Sequence, residues 1–283
     1  MQLLIPATLF TLMVALGLGL RGEAVALLRR RPYLILRVLV GTCLLLPLAA
    51  LVLLRSPLLE SLSPPVRLAI ALMAISPSAP LTLRKAGRQG GDRELAAVLQ
   101  LLAAAAAIVT IPLMADLYRA VFHVSSWDIQ PLPVARQVLL MQGLPLGLGL
   151  LVRRCVPALA ERLVGPLDRV ANTLLLGLSV LILVRSWPLL RAFLATNRTG
   201  LACMALMVLL ALAIGWLLSG PGLRERTTVA VVTSTRNPGL ALLFASTYAS
   251  GVAGLKLAIL LYVLLTLLLS LPFLRLHRWL VPA

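Results

Sequence analysis

The sequence predicts an all-α membrane protein of about nine transmembrane helices, two of them interrupted midway. Three observations carry this. Of the 283 residues, 60% are hydrophobic and only 12% are charged, a balance that excludes a disordered chain and does not suit an ordinary soluble domain. The apolar residues gather into runs of the roughly 17–25 residues a helix needs to cross a bilayer. Two of these runs carry proline and hydroxyl side chains at their centres, where broken backbone is tolerated only if protein buries it or a cavity adjoins it.

Taken in order, the runs cover about 2–20, 34–54, 67–83, 95–115, 134–152, 171–190, 200–219, 227–249 and 255–274. The first begins without a basic region before it or an A-x-A site after it, so it reads as a retained helix rather than a signal peptide. The connections are short, which predicts one transmembrane unit over 1–283 and no separate soluble domain. The third run holds Ser76-Pro77-Ser78-Ala79-Pro80-Leu81-Thr82 between Arg67 and Arg84. The eighth holds Thr233-Ser234-Thr235-Arg236-Asn237-Pro238-Gly239. Pro77, Pro80 and Pro238 each remove a backbone donor, and with Gly239 they are the expected helix breaks.

The basic residues alternate between the two sides. The loops after the first, third, fifth and seventh runs, with the C-terminal tail, hold sixteen Lys and Arg, against eight in the opposite loops. The excess predicts a multi-pass protein of the cell (inner) membrane, N-terminus outside and C-terminus cytoplasmic. The third and eighth runs then cross in opposite directions, five runs apart. That relation is expected of an inverted repeat whose two broken helices cross at a transport site. The net charge of +17 is accounted for by loops facing anionic lipid, so no nucleic-acid partner is expected.

Other chemistry is sparse. Cys43, Cys155 and Cys203 have no metal or disulfide spacing. His123 and His277 fall in a loop and the tail, and no cluster of acids and histidines suggests an enzyme or a metal centre. Trp127, Trp187, Trp216 and Trp279 fall near predicted interfaces, which suits an aromatic belt. An arginine at bilayer depth costs roughly 2.5–3.5 kcal/mol on the gentlest scale, so Arg236 is expected to have a partner or a task. Two tasks stay open: binding an anion together with Ser76, Ser78, Thr233, Ser234, Thr235 and Asn237, or binding the carbonyls that the prolines free.

The glycine-rich helix end at Gly17-Leu18-Gly19, the loop Arg29-Arg30-Arg31-Pro32 and the pair Leu46-Pro47 resemble the start of the bile acid:sodium symporter family. Ser76-Pro77 through Gly90-Gly91-Asp92 resembles the family's first crossover and the turn after it. Arg236-Asn237-Pro238-Gly239-Leu240 resembles its second. The resemblance covers nearly the whole chain and implies a panel domain, here about 1–21 and 132–190, and a core domain, about 32–119 and 199–276. It implies a transporter of organic anions, not an enzyme, with sodium sites near the crossovers.

Those sodium ligands carry over poorly. The family's glutamate falls on Val232, its glutamines on Arg236 and Thr42, and its serine and threonine on Ala96 and Gln100. Thr82, Gln100 and Asn237 alone keep an oxygen suited to replace a family ligand. No Asp or Glu lies inside a predicted run, so a sodium ion would lack the carboxylate that offsets its charge. The expectation is therefore a sodium-independent carrier with no cofactor, in which Arg236 is a tethered cation and a small organic anion is the substrate. Rival readings are an auxin-efflux or arsenite-efflux type of inverted-repeat carrier, or a channel or scaffold. Oligomeric state is left open.

Overall fold

The computed structural model describes residues 3–20, 27, 29–57, 61–77, 82–122 and 131–280. Among them there is no strand. The helices are α1 (Leu4–Gly19), α2 (Pro32–Arg55), α3 (Pro64–Ile75), α4 (Thr82–Arg88), α5 (Arg93–Phe122), α6 (Leu132–Cys155), α7 (Pro157–Thr196), α8 (Arg198–Leu218), α9 (Leu223–Ser234), α10 (Pro238–Tyr248) and α11 (Leu255–Leu280). Six stretches among the described residues are long and apolar enough to span a bilayer: α2, α5, α6, α7, α8 and Leu255–Arg275 of α11. Helices α1 and α3 are shorter and apolar.

The third and eighth runs are each split into two helices. Helix α3 ends at Ile75 and α4 starts at Thr82; α9 ends at Ser234 and α10 starts at Pro238. Ser78 and Pro80 lie outside the described residues. Proline at the first position of α10 is well placed, because the N–H it lacks has no helical partner there. Asn237 caps that helix, its Oδ1 accepting the Leu240 N–H at 3.2 Å.

The sixth run differs from expectation. Its helix starts at Pro157 rather than near 171 and runs for 40 residues. At ~1.5 Å per residue this is about 60 Å, twice the hydrocarbon thickness. Arg162 and Arg169, expected in a loop, are helical. Glu161, Arg162, Asp168 and Arg169 lower the hydropathy without breaking the helix, and Pro157 sits where a helix tolerates it.

Helix α1 packs along α6 and α7, and this contact is made by backbone. A Cβ on Gly17 would lie 2.4 Å from the Leu146 carbonyl oxygen, and one on Gly149 would lie 2.4 Å from that of Val14. Small residues of this kind let membrane helices approach closely. On the other side, α8 packs against α9 and α11, with Gly215 against the backbone of Val229 and Ala230. Helix α3 packs on α10 and α11, and α4 on α5 and α9. The turn into α5 is fixed by Asp92: its Oδ1 accepts the N–H groups of Glu94 and Leu95, and its own N–H donates to Thr228 Oγ1 of α9 at 2.6 Å.

Gly149→Val should destabilise the α1–α6 contact by about 1–3 kcal/mol, the usual cost of overpacking. Gly147→Val, where an added Cβ meets nothing within 4 Å, should leave stability unchanged. Thermal unfolding of the purified variants, followed by size-exclusion chromatography, checks the pair.

Candidate functional site

The two helix breaks touch. The Asn237 N–H donates to the Ser76 carbonyl oxygen at 3.0 Å. With α3 beside α10 and α4 beside α9, the halves pair as two broken helices crossing in opposite directions would. Ser76, Thr82, Thr233, Ser234, Thr235, Arg236, Asn237, Pro238 and Gly239 are all buried.

Arg236 is 2% exposed, and its guanidinium is turned onto carbonyl oxygens. Nε donates to Met73 at 3.0 Å, Nη1 to Thr42 at 3.1 Å and Nη2 to Ala74. The local sequence explains why these oxygens are free. In an α-helix the Met73 carbonyl would accept from residue 77, but Pro77 has no N–H. The Ser76 N–H reaches back to it instead, at 3.2 Å. In α2 the residues Gly41–Leu45 form a π turn, and the Leu46 N–H goes to Gly41. The next donor in that register would be residue 47, again a proline, so the Thr42 carbonyl has no helical donor.

The guanidinium therefore reaches two carbonyls whose helical donor would be a proline, those of Met73 and Thr42, and the Ala74 carbonyl beside them. It also sits at the C-terminal end of α3, where the helix dipole favours a cation. The arrangement matches the carbonyl-binding task rather than an arginine open to a void.

Hydroxyls surround this contact. Thr42 Oγ1 and Thr233 Oγ1 are 3.2 Å apart, and Ser234 Oγ donates to the Val231 carbonyl at 3.3 Å. Tyr118 of α5 donates to the Pro47 carbonyl at 2.7 Å and braces the same stretch of α2. Ser76 Oγ and Asn237 Nδ2 are buried with no hydrogen-bond partner among the described residues. Val232 and Ala96, which stand where oxygen ligands were sought, are buried and apolar.

Gln100 sits elsewhere. It lines a cavity of ≈ 260 Å³ between α1, α5 and α7, with Leu12, Leu16, Gly19, Val164 and Asp168. A second cavity, ≈ 850 Å³, lies between α5, α6 and α10 and is lined by Ile108, Arg136, Gln137, Thr247 and Tyr248 among others. Both fall where the group of α1, α6 and α7 meets the rest of the chain.

Sequence reasoning missed Thr42 as a hydrogen-bonding partner. The signal was Pro47 five residues on, which orphans a carbonyl only in a π turn, and the turn itself leaves no mark in hydropathy. Among the described residues no group of three or more His, Cys, Asp or Glu has the geometry of a metal site.

Arg236→Met should leave the Thr42 and Ala74 carbonyls without this donor, at about 1–3 kcal/mol for each buried group left unsatisfied. Thr233→Val, which removes one hydroxyl contact, should cost under ~1 kcal/mol. Unfolding midpoints of the two variants beside the wild type check the difference.

The sequence model of the Sodium Bile acid symporter family matches residues 6–193. No curated protein matches the chain. The family match spans about two thirds of the chain, including α1, the π turn of α2, the first helix break and α7 in nearly its full length. The chain belongs to the sodium bile acid symporter family and is a transmembrane transporter.

Proposed function

We propose that the chain is a secondary active transporter of a small organic anion. It works by alternating access and without sodium, with Arg236 as the fixed cation of the crossover. The observation that carries this is the guanidinium bound to Met73, Ala74 and Thr42 carbonyl oxygens. Carbonyl oxygens at a broken helix are ligands of the kind a sodium ion takes in transporters. Here a permanently charged side chain uses them. A sodium ion added beside it would bring a second charge into a low-dielectric site, with no acid inside any predicted span to offset either.

The remaining parts of the reading have their own support. Nine spans are reached by counting α1 and each broken pair with the six long helices. The pairing of α3 with α10 and of α4 with α9 supports an inverted repeat. The grouping of α1 with α6 and α7 supports a panel that moves against a core of the other helices. Two cavities between these groups, one at Gln100 and one at Ile108, support access from alternate sides. The arginine-rich loops support a cell (inner) membrane location with the C-terminus cytoplasmic. Ser76, Ser78, Thr82, Gln100, Thr233, Ser234, Thr235 and Asn237 are the proposed polar lining of the path, and a small organic anion is its cargo.

The test is uptake into liposomes of purified protein, using a labelled bile acid and labelled benzoate. With unlabelled anion preloaded inside, the expected counterflow is saturable and equal in sodium and potassium buffers. Uptake that requires an inward sodium gradient would overturn the sodium-independent reading.

A further inference from the structure

The crossover holds a second cation. Lys85 lies on α4, three residues into the helix that follows the first break. Its Nζ reaches across to Thr235 Oγ1, at 3.5 Å. Thr235 is the C-cap residue that follows Ser234, the last of α9. The two breaks thus exchange cations: Arg236 goes to the C-terminal end of α3, and Lys85 goes to the C-terminal end of α9.

The two are not equally occupied. Arg236 has a carbonyl for each of its three nitrogens. An ammonium group has three N–H donors; among the described residues Lys85 has one contact, to Thr235, which is long for a hydrogen bond and brings no negative charge. Of the described acids near this end, Glu94 is exposed and the other two are engaged. Asp92 caps α5, and Glu225 pairs with Arg31 and accepts the Gly220 N–H at 2.6 Å. The dipole of α9 explains where the amine points, but it supplies only about half a charge. Asn237 Nδ2, two residues from Thr235, is a further buried donor with no acceptor among the described residues. Among the described residues, donors outnumber acceptors here, and an acceptor with negative charge would complete the set.

We infer that Lys85 and Thr235 form the anion-binding site of the crossover, taking the carboxylate or sulfonate group of the ligand, while Arg236 stays on its carbonyls. This deepens the reading above and rests on it for the identity of the anion as the transported species. Lys85 is half-buried, so solvent reaches it, whereas Arg236 is enclosed. The ligand's charged group would displace the long Thr235 contact and accept from Nζ directly.

The chain supplies its own control, because Lys85 and Lys256 are its only lysines, and both are half-buried. The experiment acylates full-length protein in liposomes with a lysine-reactive ester and follows each lysine by mass spectrometry. Benzoate, benzenesulfonate and taurocholate serve as probes, with uncharged benzamide for comparison. At least one anion should slow Lys85 acylation ~threefold or more, the protection expected at about twice its dissociation constant. Lys256 should be unaffected, and benzamide should protect neither.

Counterflow of the protecting anion should fall ~tenfold or more in Lys85→Met, about what losing one charged hydrogen bond of 1.4 kcal/mol or more would cause, and should return in part in Lys85→Arg. Equal acylation of Lys85 with and without every anion overturns the site, and so does counterflow unchanged in Lys85→Met. Protection of Lys85 with no counterflow by the wild type would instead keep the site and remove the transport reading.

Discussion

A proline that breaks a helix inside a membrane leaves a carbonyl with no donor, and there is no water in the hydrocarbon to supply one. The structure depends on how that cost is met. Pro77 frees the Met73 carbonyl, and Pro47, through a π turn, frees that of Thr42. One side chain from a third element, Arg236, answers both. In α3 the Ser76 N–H meets only part of the need, and the π turn of α2 has no helical donor for Thr42, so both lean on the Arg236 side chain from the break after α9. The polar centre is therefore a lock between three elements, and its charge and its stability come from the same atoms.

The proposed alternating access needs a centre that stays rigid and borders that can open. Around the breaks the packing is dense, with α9 held against α8 by Gly215 and against the α4–α5 turn by Thr228. Two cavities among the described residues lie where α1, α6 and α7 meet the other helices. Within the first group, the Gly17–Gly149 contact joins α1 to α6 backbone to backbone. A carrier that rocks one rigid group against another needs this distribution: firm interiors and a loose seam. In the proposed reading Lys85 and Arg236 divide the electrostatic work: the arginine holds the crossing together through the Met73, Thr42 and Ala74 carbonyls, and the lysine would meet the charge of the cargo.

Much of this was legible in the residues. The two breaks follow from Pro77 and Pro238, because proline acts through its own missing N–H and needs no tertiary context. The burden on Arg236 follows from its depth in an apolar run. The identity of its partners does not, because the Thr42 carbonyl becomes available only through a π register that hydropathy does not record. The reach of α7 back to Pro157 was hidden for a related reason. Glu161, Arg162, Asp168 and Arg169 end an apolar run without ending a helix. Lys85 reads in the sequence as one more basic residue of a loop, and only the crossing of α4 over α9 brings it to Thr235. The π register and the start of α7 are local boundaries, which a single sequence marks least well, and the Lys85–Thr235 contact joins residues 150 apart in the chain.

The central claim is that a guanidinium serves where a sodium ion would otherwise bind. The most direct measurement is the thermal unfolding midpoint of the wild-type protein in sodium chloride and in potassium chloride at equal ionic strength, about 0.15 M. An ion that binds the folded state raises its stability by mass action. The account predicts coincident midpoints in the two salts. A saturable rise of roughly 4 °C or more in sodium alone would contradict it.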